Sequence, residues 1–246
     1  MVKKLHYESW FEFKKEFYYD LTENTKNITN YIFRGQSNED WELVSSFDRC
    51  YQEFSFTQKK RIETYLLECF INECEKKLGL NLSQYNEEQK ISLAQHYGVP
   101  TRLLDWSRSP YISAFFAYAN AVVDSNCDNV AVWALNKNSE IWESRLGCSI
   151  IETKIPENTN QKSQNGLFTM LKTTEISLED YVNSCEQNGY DIHDSLIKIV
   201  LPINDKPNAL EDLELMGINY TSLFSGMESC ANSAILKTTI DIINKF

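Results

Sequence analysis

The pattern of apolar residues predicts an α+β fold, with a helical N-terminal half around a mostly antiparallel sheet. Three observations carry this. Helical spacing governs three stretches before residue 100, strand-type runs cluster between 129 and 203, and a helical region follows from about residue 209. Segregated runs of this kind indicate α+β rather than a regularly alternating parallel sheet.

Ser9 is placed to cap a first helix whose apolar face is Trp10, Phe13, Phe17 and Leu21, spaced as one helix face requires. Polar residues 22–30 end it. Tyr31-Ile32-Phe33-Arg34 then reads as a short strand ending at Gly35, and Trp41 to Val44 as a second extended stretch. From Thr57 to Leu78 a helix is expected, with Ile62, Tyr65, Leu66, Cys69, Phe70, Cys74 and Leu78 as its apolar stripe and Gly79 as C-cap. A further helix spans about Asn86 to Tyr97, stopped by Gly98 and Pro100. Thr101 to Ser109 reads as loop or short strand, and Pro110 opens the next, buried helix at its first turn. Strands are expected at Asn129–Leu135, Ile150–Ile155, Gly166–Leu171 and Ser195–Ile203. The closing helical region breaks near Gly217 and continues towards Ile243.

The 246 residues suit one large domain, and thirteen Phe, thirteen Tyr and five Trp supply core material without metal or disulfide staples. A formal charge of -11 works against bulk DNA binding but leaves room for a local basic pocket holding one small phosphorylated ligand. The seven cysteines include no Cys-x-x-Cys pair and the three histidines are far apart, so neither a disulfide framework nor a metal site is expected. Scattered thiols fit a cytoplasmic location. No signal peptide and no apolar run of roughly 20 residues is seen, so no membrane partner is expected.

Chemistry concentrates in two segments. Phe33-Arg34-Gly35-Gln36 sets an arginine, whose guanidinium is a fork suited to phosphate or carboxylate, beside a glycine that permits close backbone approach. A structural ion pair at a turn is the plain alternative. Gln95 to Trp106 packs His96, Thr101, Arg102, Asp105 and Trp106 into one helix-to-loop transition fixed by Gly98 and Pro100. Asp105 is placed to orient Arg102 or His96; alternatively, the block is an internal clamp. Gln164, before a strand, and Glu228, entering a helix, are weaker candidates. Gly-x-Ser-x-Gly, Walker and dinucleotide glycine patterns are absent.

Together, Phe33-Arg34-Gly35-Gln36, Gln95 to Trp106 with Ser109-Pro110, and Ala114-Phe115-Phe116-Ala117 resemble the FRG domain, a bacterial and phage family named for its Phe-Arg-Gly segment. The resemblance spans about Tyr31 to Phe168, with Ser107 where members often carry Thr, and Phe224-Ser225-Gly226-Met227 where many read Phe-Pro-Asp-Leu. It implies a single FRG-type domain over 1–246, with a core of about 31–205 and a helical C-terminal region at 206–246.

A looser similarity links Arg34-Gly35 and Ser107 to Phe116 with the arginine-serine-glutamate class of ADP-ribosyltransferases. That similarity implies an ADP-ribosyltransferase-like sheet, NAD as cofactor, and a toxin or phage-defence effector acting on a protein or nucleic-acid substrate. Arg34 would then hold a phosphate with Gly35 and Gln36 beside it, Ser107 and Thr101 would bind ribose or phosphate oxygens, and Trp106 would stack on a planar ring. His96 would position the ligand, and Arg102 and Asp105 would brace the site. Where that class carries its catalytic glutamate this chain has Gln164, with Glu152 and Glu228 as substitutes. Two other readings stand beside it: a non-enzymatic interaction module with a structural motif block, and a hydrolase or nuclease using His96 and Asp105.

Overall fold

A computed structural model describes residues 2–22, 27–121, 127–154, 165–224 and 226–243. In chain order the elements are β1 (Lys3–His6), α1 (Trp10–Thr22), β2 (Tyr31–Gln36), α2 (Ser46–Cys50), α3 (Phe56–Leu78), α4 (Glu87–His96), β3 (Leu103–Asp105), α5 (Pro110–Ala119), β4 (Asn129–Asn136), β5 (Cys148–Lys154), β6 (Asn165–Leu171), α6 (Leu178–Gln187), β7 (Leu196–Pro202), α7 (Lys206–Leu215), α8 (Tyr220–Leu223) and α9 (Met227–Ile243). The fold is α+β, as expected. Among the described residues its strands form two sheets, in which only the β1–β7 pair is parallel. No described helix is long and apolar enough to cross a membrane.

The chain divides into two compact units, the first from residues 42–106 and 139–192, the second from 2–41, 107–138 and 193–246. In the second unit four strands run in the order β1-β7-β4-β2. Alternation sends Val132, Ala134, Ile197 and Ile199 to one face, where they join Phe33 in a core with α1, α5 and α7. The α1 stripe behaves as its spacing requires: Trp10, Phe13, Phe17 and Leu21 are all buried, and Phe13 and Phe17 stack at 4.5 Å. Burying each such side chain contributes about 1.5–3 kcal/mol. Ser9 Oγ accepts from the Glu12 amide at 3.1 Å and caps the helix. The indole of Trp10 donates to Asp212 of α7 at 2.8 Å, so its polar atom is satisfied within the core.

In the first unit the sheet has three strands, β3-β6-β5, all antiparallel. Ile91 of α4 joins Leu103 and Met170 of the sheet in one apolar cluster, and Leu82, Tyr85 and Leu93 pack with Phe70, Ile71 and Cys74 of α3 in another; Phe47, Trp106, Trp142, Leu178 and Tyr181 are buried as well. Both helices begin with capping boxes, Ser55 with Gln58 and Asn86 with Gln89, and Gly79 ends α3 in the left-handed conformation at φ 65°.

Three expectations change. The stripe drawn on α3 is displaced: Tyr65 is 69% and Leu78 67% exposed, and the packed face runs through Leu67, Phe70, Ile71 and Cys74. Among the described residues of α3 only Lys59 is fully buried, because one side of the helix meets an ionic cluster rather than hydrocarbon. Trp41 to Val44 forms no strand; Val44 alone bridges to Ser177. The C-terminal region does break at Gly217, at φ 76°, and its described residues form α7, α8 and α9. β1, α2 and α6 are additions.

Candidate functional site

The Phe-Arg-Gly segment lies on β2 in the second unit, registered against β4 with Arg34 opposite Trp133 and Gly35 opposite Val132. A Cβ on Gly35 would sit 1.9 Å from the Ser113 carbonyl oxygen and 2.8 Å from the Ala117 amide. The glycine is therefore required by the backbone of α5, which crosses β2 with no room for a side chain. Gln36 Oε1 accepts from the Trp133 indole at 2.7 Å. Phe33 and Ser107 exchange both backbone hydrogen bonds at 2.7 Å, while Ser107 Oγ accepts from the Ser109 amide at 3.0 Å. Strand alternation turns the half-buried Arg34 to the face opposite Phe33.

The longer motif block lies in the first unit up to Trp106, and its polar groups are mutually engaged. Gln95 Nε2 donates to both Asp105 carboxylate oxygens at 2.9 Å, and its Oε1 accepts from the Thr101 hydroxyl. One amide thus ties the end of α4 to the strand entry and to the far end of β3. The Thr101 carbonyl accepts from the Phe47 amide at 3.1 Å. The buried Trp106 indole donates to Thr169 Oγ1 at 2.9 Å, and the Trp106 amide donates to Leu167 O at 2.8 Å. His96 is exposed, its ring edge-on to Tyr97 at 5.2 Å.

Arg102 takes acidic partners that no sequence motif marked. Its Nε donates to Glu63 Oε2 at 3.1 Å and its Nη1 lies 3.5 Å from Asp48 Oδ2. Asp48 also receives Lys59 Nζ at 3.0 Å and Ser45 Oγ at 2.8 Å. The guanidinium sits 5.2 Å from the Phe47 ring centroid and 5.8 Å from that of Phe56. Its Nη2 is buried and, among the described residues, has no hydrogen-bond partner. Arginine presents five donors in a fixed fork, so an empty Nη2 is an unused donor in a rigid frame.

Arg102 also forms part of the wall of a cavity of about 570 Å³ in the first unit. The α3 face with Lys60, Glu63 and Leu67 makes one side, Lys90 and Ile91 of α4 another, and Lys172 follows β6. Burial pushes the Glu63 carboxyl above the usual carboxylate range, against the opposing pull of Arg102 and Lys172. Four cations (Lys60, Lys90, Arg102, Lys172) face three carboxylates (Glu63, Glu68, Glu87), and Glu63 is already engaged by Arg102.

The sequence candidates thus fall in both units. His96, Thr101, Arg102, Asp105 and Trp106 belong to the first; Arg34, Gly35, Gln36, Ser107 and Glu228 belong to the second. Glu228 is exposed in the first turn of α9, and Glu152 is exposed on β5. Gln164 lies outside the described residues. Asp48, Lys59, Glu63 and Lys172 belong to this candidate site, and sequence reasoning missed them. The only signal was the lysine and glutamate side of α3, which looks like any solvated helix face. No group of three or more His, Cys, Asp or Glu suited to a metal occurs among the described residues. Residues 29–126 match the family model of the FRG domain. No curated protein and no solved structure matches the chain.

Proposed function

We propose that this chain, which carries an FRG domain, is a binding module for a small nucleotide-type phosphorylated ligand, held in the cavity of the first unit. One observation carries the reading: the arginine of the family's long motif is a buried cationic wall of that cavity, fixed by Asp48 and Glu63, with one donor unused. A guanidinium suits phosphate oxygens, and lysines at 60, 90 and 172 add point charges around it. The volume falls in the range of small-molecule sites, about 300–1,000 Å³. Glu68 and Glu87 are acceptors for ribose hydroxyls or a base amino group. The net charge of -11 favours a small ligand over a polyanion.

In this reading the motif block works as scaffold. Gln95, Thr101 and Asp105 hold the segment that carries Arg102, and Trp106 anchors its end on Thr169. The test is titration with nucleoside monophosphates and NAD, followed by calorimetry. Lys60→Glu and Lys172→Glu alter exposed positions, so each is expected to weaken binding at least about tenfold with unfolding unchanged. Absence of binding by every one of these ligands overturns the proposal.

A second reading is an NAD-using transferase of ADP-ribosyltransferase type, acting in a cytoplasmic toxin or phage-defence setting. It is supported by the paired backbone hydrogen bonds of Phe33 and Ser107, which set the Arg34-Gly35 strand beside the Ser107 segment. Incubation with labelled NAD and lysate separates the two readings. Label on a protein or nucleic acid, lost in Arg34→Ala, favours transfer; binding without label favours the module.

A further inference from the structure

We propose that Glu63 couples the cavity to protonation, so that an anionic ligand head binds Arg102 together with one proton carried by the Glu63 carboxyl. The inference rests on the ligand-binding reading above and names how that site is regulated.

The geometry supplies the argument. Among the described residues Glu63 meets Arg102 through Oε2 to Nε at 3.1 Å, and Nη2 has no hydrogen-bond partner. A phosphate or sulfate reaching for the guanidinium edge needs Nη2 and the neighbouring Nε, the position Glu63 holds. Glu63 is also the more exposed of the two, with 25% of its side chain accessible against 2% for Arg102, so a ligand entering the cavity meets Glu63 first. Two anions on one guanidinium edge repel at close range in a partly dry site. Neutralising one of them removes the repulsion, and a protonated carboxyl turns from acceptor to donor towards the ligand oxygen.

Other charged groups around Glu63 do not offer a better proton carrier. On α3 these are Lys60 and Glu68, on α2 Asp48, on the motif segment Arg102, after β6 Lys172, and on α4 Glu87 and Lys90. Asp48 is held by Lys59, Ser45 and Arg102 at once, and Glu68 and Glu87 are exposed. Glu63 alone combines contact with Arg102 and a place on the cavity wall, and its burial already favours the neutral form. The step balances simply: apo protein, ligand anion and one solvent proton give a complex with that proton on Glu63.

Sulfate is the probe, because it does not titrate between about pH 5 and 8, whereas a phosphate monoester does near 6. Calorimetry on the whole chain, repeated in buffers of different ionisation enthalpy, reads protons taken up per sulfate bound. Uptake approaching one is expected for the wild type, with affinity falling up to about tenfold per pH unit above the Glu63 midpoint. Glu63→Gln is expected to take up none, to bind independently of pH, and to bind more tightly than the wild type at pH 7. Wild-type binding without proton uptake overturns the coupling and needs no variant. The same pH dependence in Glu63→Gln also overturns it while leaving the binding site standing. If neither sulfate, NAD nor any nucleoside monophosphate binds wild type or variant from about pH 5 to 8, the ligand-binding reading itself fails, and the coupling with it.

Discussion

In the second unit α1, α5 and α7 cover a four-stranded sheet with aromatic and branched side chains, and the Phe-Arg-Gly glycine serves that packing. In the first unit, beside a three-stranded sheet, Leu43, Phe47, Trp106, Trp142, Leu178 and Tyr181 are buried too, but a buried ionic cluster of Asp48, Lys59 and Arg102 lies beside α3. The first unit therefore combines two kinds of interior, of which the second unit's core shows the first. Hydrocarbon packing tolerates no atom too many, whereas a buried ionic cluster tolerates no partner too few. The second kind leaves something over: a buried guanidinium donor on a residue that also lines a cavity. The proposed ligand site therefore lies in the first unit, although Arg34, the arginine expected from the looser resemblance to hold a phosphate, lies in the second.

The sharpest test of the contrast removes a partner. Asp48→Ala leaves Lys59 and Arg102 buried without their shared carboxylate, and the expected loss in denaturant unfolding is about 3–5 kcal/mol. A loss below 1 kcal/mol would falsify the claim that this ionic cluster helps hold the unit together. The matching test in the second unit adds an atom. Gly35→Ala drives a methyl into the Ser113 carbonyl and forces α5 away from β2; about 3 kcal/mol is expected, read as a lowered unfolding midpoint. An unchanged midpoint would mean that α5 slides at no cost.

Smaller effects refine the picture. Trp106→Phe keeps most of the buried ring but deprives Thr169 of its donor, at an expected cost of about 1–2 kcal/mol. Glu63 gives a pH signature. Its folded-state pKa is raised, chiefly by burial, so its contribution is fully present below the unfolded carboxyl pKa and fades as pH rises through the folded value. Glu63→Gln should therefore gain stability relative to the wild type as pH goes from about 4 to 7; a constant difference in paired melts would exclude the shift. His96→Ala, at an exposed position, should change stability by less than about 0.5 kcal/mol. A larger loss would show that the ring clamps the motif after all.

Much of the fold was legible in local pattern. The Trp10–Leu21 stripe, the Asn86 cap, Pro110 at a helix start and the Leu196–Leu201 run each declare an element within a few residues. β1 does not: its four residues, Lys-Lys-Leu-His, become a strand only by pairing with β7, nearly two hundred positions away. α6 was readable and overlooked, since Ser177 caps it and Leu178, Tyr181, Val182 and Cys185 mark one buried face. The site was less legible than the fold. Arg102 stood out by its neighbours, but Asp48 and Glu63 lie 54 and 39 positions before it, on elements whose sequences give no hint of burial. Asp105, the nearby acid, is bound by the Gln95 amide. Proximity in sequence pointed to one carboxylate, and three-dimensional packing supplied two others.

The contact between Gly35 and α5 bears on how importance is inferred from invariance. A position where the next smallest residue collides with a main-chain oxygen is fixed by geometry, whatever the protein does. Any sequence sharing this strand–helix crossing is expected to keep glycine there, and a search ranking columns by constancy would place Gly35 near the top. Lys60, Lys90 and Lys172, which line the cavity from elements that also serve other ends, would rank low wherever the ligand differs between relatives. Here, then, the least variable residue would report architecture, and residues free to vary would report specificity.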